Sequence, residues 1–106
     1  MLDKKNFYIN GQWVKPNSSE EINVIDPATE DNCAVISLGN KADVDMAVNA
    51  AKDAYQSWAF SSKEERIGLL EKLYDNYKKR WADIAEAITL EMGAPKDFAT
   101  KLQAGT

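Results

Sequence analysis

At Asn40 the hydrophobic pattern changes its period, and no motif divides the chain more sharply. Before it, apolar residues come in short alternating runs broken by turn formers. After it, they recur every three to four positions. A period of two places alternate side chains on one face of a strand, whereas a period near 3.6 aligns i, i+3 and i+4 on one helix face. Residues 1–39 are therefore expected to form strands and residues 40–106 helices. The predicted fold class is mixed α/β, with two N-terminal β-hairpins followed by three or four helices.

The first hairpin is the better defined. In "FYINGQWV" two strand-forming triplets, Phe7-Tyr8-Ile9 and Gln12-Trp13-Val14, meet across Asn10-Gly11. Both central residues of a type I′ turn need positive φ, which Asn and Gly tolerate best. The second unit runs through Ile22-Asn23-Val24-Ile25, stops at Asp26-Pro27 and returns over residues 33–38 to Gly39. Proline cannot donate to a sheet ladder, so it ends the strand.

In the helical part, Asn40 is a candidate N-cap, and Val44, Ala47, Val48, Ala51, Tyr55 and Trp58 share a face. Ser62-Lys63-Glu64-Glu65 has capping-box spacing, with Ser62 as cap and Glu65 reaching back. The helix it opens presents Ile67, Leu70, Leu73, Tyr74, Tyr77 and Trp81. Ile84, Ala85, Ile88 and Met92 extend that stripe, either directly or after a break near Arg80-Trp81. Gly93 reads as the stop, and Pro95 as an early residue of a last helix through Phe98, Ala99 and Leu102.

Much chemistry is excluded by composition. The 106 residues contain no histidine, so imidazole acid–base work and histidine metal sites are absent from this chain. The five glycines are too far apart for a dinucleotide fingerprint or a P-loop. Cys33, alone, allows no internal disulfide, and its strand setting predicts a buried structural thiol. A formal charge of −4 without a basic stripe argues against nucleic acid, and Lys78-Lys79-Arg80 reads as a solvated helix face. No apolar run spans a bilayer and no leader is evident, so no membrane and a cytoplasmic location are expected.

Taken in order, "FYINGQWV", "INVIDPATED", "ISLGNKADVDMAVNAAKDAYQSW", "SSKEERIGLLEKLYDNYKKRWADIAEAITLEMGAP" and "AGT" resemble the N-terminal segment of the NAD(P)-dependent aldehyde dehydrogenases. The resemblance covers the chain from Phe7 to Thr106. Family members are several times longer, and it implies that residues 1–106 are an incomplete part of their Rossmann-like coenzyme-binding domain. The parent would oxidise an aldehyde with NAD or NADP through a cysteine thiolate and a thioester. It would assemble as a homo-oligomer, dimer or tetramer. The family's catalytic and cofactor-binding residues lie beyond its equivalent of Thr106, so neither class is assigned here, and Cys33 does not match the nucleophile.

Two site assignments carry over from the resemblance. The backbone carbonyls of Val24 and Ile25, with the Glu91 carboxylate, correspond to a structural monovalent cation site for Na+ or K+; the family commonly has aspartate where Glu91 stands. Leu102 and Thr106, four apart on one helical face, correspond to the mouth of the aldehyde tunnel. A rival from another class is a free-standing helical interaction module without enzymatic activity, its apolar stripes docking a partner. A third, less supported, is an independent enzyme using carboxylates alone.

Overall fold

The computed structural model describes residues 1–105. They divide into two compact units, one comprising Met1–Val24 and Asn32–Ser61, the other Ile25–Asp31 together with the chain from Ser62 onward.

The first unit holds strands β1 (Leu2–Lys4), β2 (Phe7–Ile9), β3 (Gln12–Val14), β4 (Glu21–Ile25, its last residue crossing into the second unit), β5 (Asn32–Ser37) and helix α1 (Lys41–Trp58). The Asn-Gly hairpin forms as its turn chemistry requires. Asn10 and Gly11 take φ of 52° and 75°, and the strands pair Phe7 with Val14, Tyr8 with Trp13 and Ile9 with Gln12. The Tyr8 and Trp13 rings stand 5.2 Å apart on its exposed side, a cross-strand aromatic pair.

The second strand unit is a three-stranded sheet rather than a bare hairpin. β5 is central, β4 lies on one side and β1 on the other, parallel to β5 with Leu2 opposite Ala34. β1 has one apolar residue and no alternation, so its pairing, not its sequence pattern, makes it a strand. Ala34 and Val35 are both buried although successive side chains of a strand face opposite ways. That is the mark of a strand covered on both faces. Cys33 is half-buried, and its thiol donates to the Val24 carbonyl at 3.3 Å.

α1 starts as expected. The Asn40 side chain accepts from the amides of Ala42 (3.0 Å) and Asp43 (3.2 Å), and the Asp43 carboxylate returns a bond to the Asn40 amide at 2.9 Å.

The second unit is built on α2 (Lys63–Met92), one unbroken helix of 30 residues. The apolar stripe therefore continues through Arg80 and Trp81 without a break. Its Ser62–Glu65 capping box is present, and Gly93 closes it in the left-handed region at φ 67°. α3 (Lys96–Phe98) then runs into a π-helical turn, Ala99–Gln103. So the last helix is a single short turn that widens, not an extended rod.

Two hydrogen bonds fasten this terminus to α2. Tyr77 donates its hydroxyl to the Ala104 carbonyl at 2.7 Å, and Trp81 its indole N–H to the Thr100 carbonyl at 2.8 Å. Ala85, Ala99 and Ala104 form the buried cluster, bordered by Ile84, Ile88 and Ala94. Small side chains let the two backbones approach closely enough for both bonds.

Candidate functional site

The turn after β4 positions the first predicted site. Asp26 closes it through its amide to the Asp31 carbonyl (2.9 Å), its carbonyl to the Glu30 amide (2.8 Å) and its side chain to the Ala28 amide (2.8 Å). A β-carbon added at Gly93 would stand 2.9 Å from Pro27 Cγ, so glycine is required there by space as well as by φ. That contact sets the C-terminal end of α2 against the Asp26-Pro27 turn, all inside the second unit.

Ile25 ends β4 one residue before this turn, and Glu91 lies two residues before Gly93 in the last turn of α2. Both are exposed. No basic residue accompanies Glu91 in that turn, and among the described residues no cation pairs with it. A carboxylate at a helix C-terminus faces the negative end of the dipole and is disfavoured by roughly 0.3–1 kcal/mol. Val24 belongs to the first unit, where its carbonyl accepts from the Cys33 thiol. Among the described residues no group of three or more His, Cys, Asp or Glu could hold a metal ion, so any cation here would rest on carbonyls.

Of the second predicted pair, Leu102 sits in the π-helical turn, about half exposed. Thr106 lies outside the described residues.

Sequence reading did not single out Asp43. It is the one buried charged side chain among the described residues, 3% exposed. Besides its bond to Asn40, it accepts from the Asn17 amide at 2.7 Å, tying the loop after β3 to the start of α1. Backbone amides of Asn40, then Asn17, then Ser18 hold its pKa below the usual aspartate value, against the opposing effect of burial. The signal available in advance was the Asn-x-x-Asp spacing of a capping box. Its role is to fix the backbone: no nucleophile or second carboxylate accompanies it.

The clefts of the first unit are open and shallow, such as the one beside β2 and β3 lined by Tyr8, Ile9 and the Ala47, Ala50, Ala51 and Ala54 face of α1. None gathers the nucleophile, base and oxyanion donors that an enzymatic site needs. Among the described residues no helix is long and apolar enough to cross a membrane.

The lack of interior is the clearest feature. The buried hydrophobic residues are Ala34, Val35, Ala85, Ala99 and Ala104, and no large side chain described is fully buried. The surface measures 8514 Å². A closed globular protein of 11.8 kDa exposes about 5,900 Å². The exposed residues include Leu70 and Leu73 of α2, Tyr55 of α1 and Trp13 of β3, the parts of the amphipathic faces that no other element covers.

Comparison with known proteins gives one result. The model of the aldehyde dehydrogenase family matches residues 13–105. A 3-succinoylsemialdehyde-pyridine dehydrogenase from a Pseudomonas species is 47% identical over 105 residues, 98% of this chain and 22% of its own length. The crystal structure of an aldehyde dehydrogenase from Bartonella henselae superimposes with a TM-score of 0.98 at 50% identity, over 99% of this chain and 22% of that one. A mutant of aldehyde dehydrogenase C from Pseudomonas syringae, solved with NAD+ and octanal, gives a TM-score of 0.93 at 39% identity, over 95% and 21% of the two chains. The chain thus spans about a fifth of the length of the relatives it matches.

Proposed function

Because the chain belongs to the aldehyde dehydrogenase family, we propose that it serves as the N-terminal part of a coenzyme-binding domain, in an enzyme that oxidises an aldehyde to a carboxylic acid with NAD+ or NADP+. The observation that carries this reading is the uncovered apolar surface of a chain whose backbone superimposes on a segment of much longer enzymes. Its residues brace the domain: the hairpin and the three-stranded sheet of residues 1–39, then the helices of residues 40–106. The nicotinamide, when bound, accepts a hydride; no residue of this chain is assigned to hold it. Homo-oligomeric assembly and a cytoplasmic location belong to the same reading.

The test is a graft. The 106 residues replace the matching segment of Pseudomonas syringae aldehyde dehydrogenase C, and octanal-dependent NAD+ reduction is measured. Activity within about tenfold of the parent is expected. A soluble, folded graft without activity would support the rival reading, an interaction module unrelated to catalysis.

Two finer proposals attach to it. A structural Na+ or K+ would take the carbonyls of Val24 and Ile25 and the carboxylate of Glu91, hard oxygen donors suited to an alkali cation. The exposed, unpaired Glu91 at the negative end of α2 supports this, since a cation there relieves an unfavourable charge. Glu91→Ala in the graft should abolish the extra thermal stability given by KCl or NaCl over tetramethylammonium chloride; an unchanged increment refutes the assignment. Leu102 and Thr106 would border the aldehyde entrance, so Leu102→Trp should raise the KM for octanal. A KM left untouched for short and long aldehydes alike counts against it.

A further inference from the structure

The apolar stripe of α2 is covered along only half of its length. Toward the C-terminus, Tyr77 and Trp81 bond to the π-helical turn and its neighbours, and Ile84 and Ile88 pack on the alanine cluster. Toward the N-terminus, Ile67, Leu70, Leu73 and Tyr74 continue the same stripe, yet they are 44%, 62%, 63% and 62% exposed. The one side-chain neighbour recorded for these four is Lys78, whose ammonium lies 4.5 Å from the Tyr74 ring centre. The stripe advances by threes and fours, 67, 70, 74, 77, 81, 84 and 88, the spacing of a helix that lies along a partner surface.

We infer that residues 67–74 of α2 form a docking strip for the remainder of an aldehyde dehydrogenase subunit, and that docking does not require the two to be joined by a peptide bond. This rests on the function proposed above. The occupant follows from two observations. The superposition on the Bartonella henselae enzyme uses 22% of that chain, so the rest of a subunit is present beside this fold in that protein. The surface in excess of a closed protein of this mass is about 2,600 Å², more than the total of roughly 1,200–2,000 Å² that a stable protein–protein interface buries. A non-covalent complex therefore has enough area without new contacts.

The experiment mixes the purified 106-residue chain with the Pseudomonas syringae enzyme lacking its matching segment, and follows octanal-dependent NAD+ reduction and co-elution on size exclusion. The expected result is co-elution and at least a tenfold gain in activity over the truncated enzyme alone. Leu70→Glu with Leu73→Glu should remove that gain. Lys72→Glu, on the opposite side of the helix by the 100° step per residue, should leave it. Circular dichroism of each variant shows whether α2 is intact, and Leu70→Ala, gentler to the helix, should lower the gain by at least threefold. An active covalent graft with an inactive mixture overturns the docking inference and leaves the proposed function standing. A gain unaffected by the Leu70 and Leu73 changes places the interface elsewhere and overturns the assignment to this strip. An inactive graft instead removes the reading on which both rest.

Discussion

Glycine to alanine at two positions of α2 should act with opposite signs, and the structure supplies both magnitudes. Gly68 lies inside the helix, and an added β-carbon there meets nothing within 4 Å. Alanine lowers the entropy of the unfolded chain and favours the helix, so Gly68→Ala should stabilise by about 0.8–1 kcal/mol. Gly93 sits at φ 67°, and an added β-carbon would lie 2.9 Å from Pro27 Cγ, on a ring that cannot swing aside. The left-handed backbone costs an L-residue roughly 1–2 kcal/mol and overpacking a further ~1–3 kcal/mol, so Gly93→Ala should destabilise by about 2–5 kcal/mol. Urea unfolding of the graft followed at 222 nm separates the two, with the midpoint rising for the first variant and falling for the second. If Gly93→Ala left the midpoint unchanged, the packing of the α2 terminus on the Asp26-Pro27 turn would be wrong.

Three further outcomes are expected. Tyr77→Phe removes the bond to the Ala104 carbonyl and should cost about 0.5–1.5 kcal/mol, with faster hydrogen exchange over residues 99–105. Asn40→Ala deletes the cap that serves Ala42 and Asp43, and should cost about 1 kcal/mol in thermal or urea unfolding. The lowered pKa of Asp43 makes its contribution complete above the ordinary aspartate value and progressively lost as pH falls through the folded-state value. Acid titration should therefore release the loop of residues 15–20 from α1 in the wild type, and Asp43→Asn should flatten that dependence when the Asn17 amide is followed by NMR.

The elements legible in the sequence were those specified by local chemistry. Asn10-Gly11, the Asn40 and Ser62 caps and the left-handed stop at Gly93 all depend on residues within one turn of one another, and each appears where its spacing placed it. What escaped depends on distant partners. β1 exists because Leu2, Asp3 and Lys4 find Ala34, Val35 and Ile36 across the sheet, a pairing their own pattern does not announce. The continuity of α2 past Arg80 and the widening at Ala99–Gln103 reflect the tertiary bonds of Tyr77 and Trp81. Asp43 looked like a routine dipole-compensating acid, and only the fold brings Asn17 to it. The buried oxygens Thr89 Oγ1 and Gln103 Oε1, without hydrogen-bond partners, belong to the same class of feature that sequence leaves silent. For the site, the pattern located Glu91 near a helix end and Val24 and Ile25 at a strand end. The chemistry beyond that rests on family likeness.

The central claim is that this chain braces a coenzyme-binding domain without itself contacting the coenzyme. Isothermal titration of NAD+ and of NADP+ into the purified 106-residue chain and into the Pseudomonas syringae graft tests it most directly. The expected result is saturable binding of coenzyme by the graft and no heat above dilution from the chain alone. Stoichiometric binding by the isolated chain would contradict the claim.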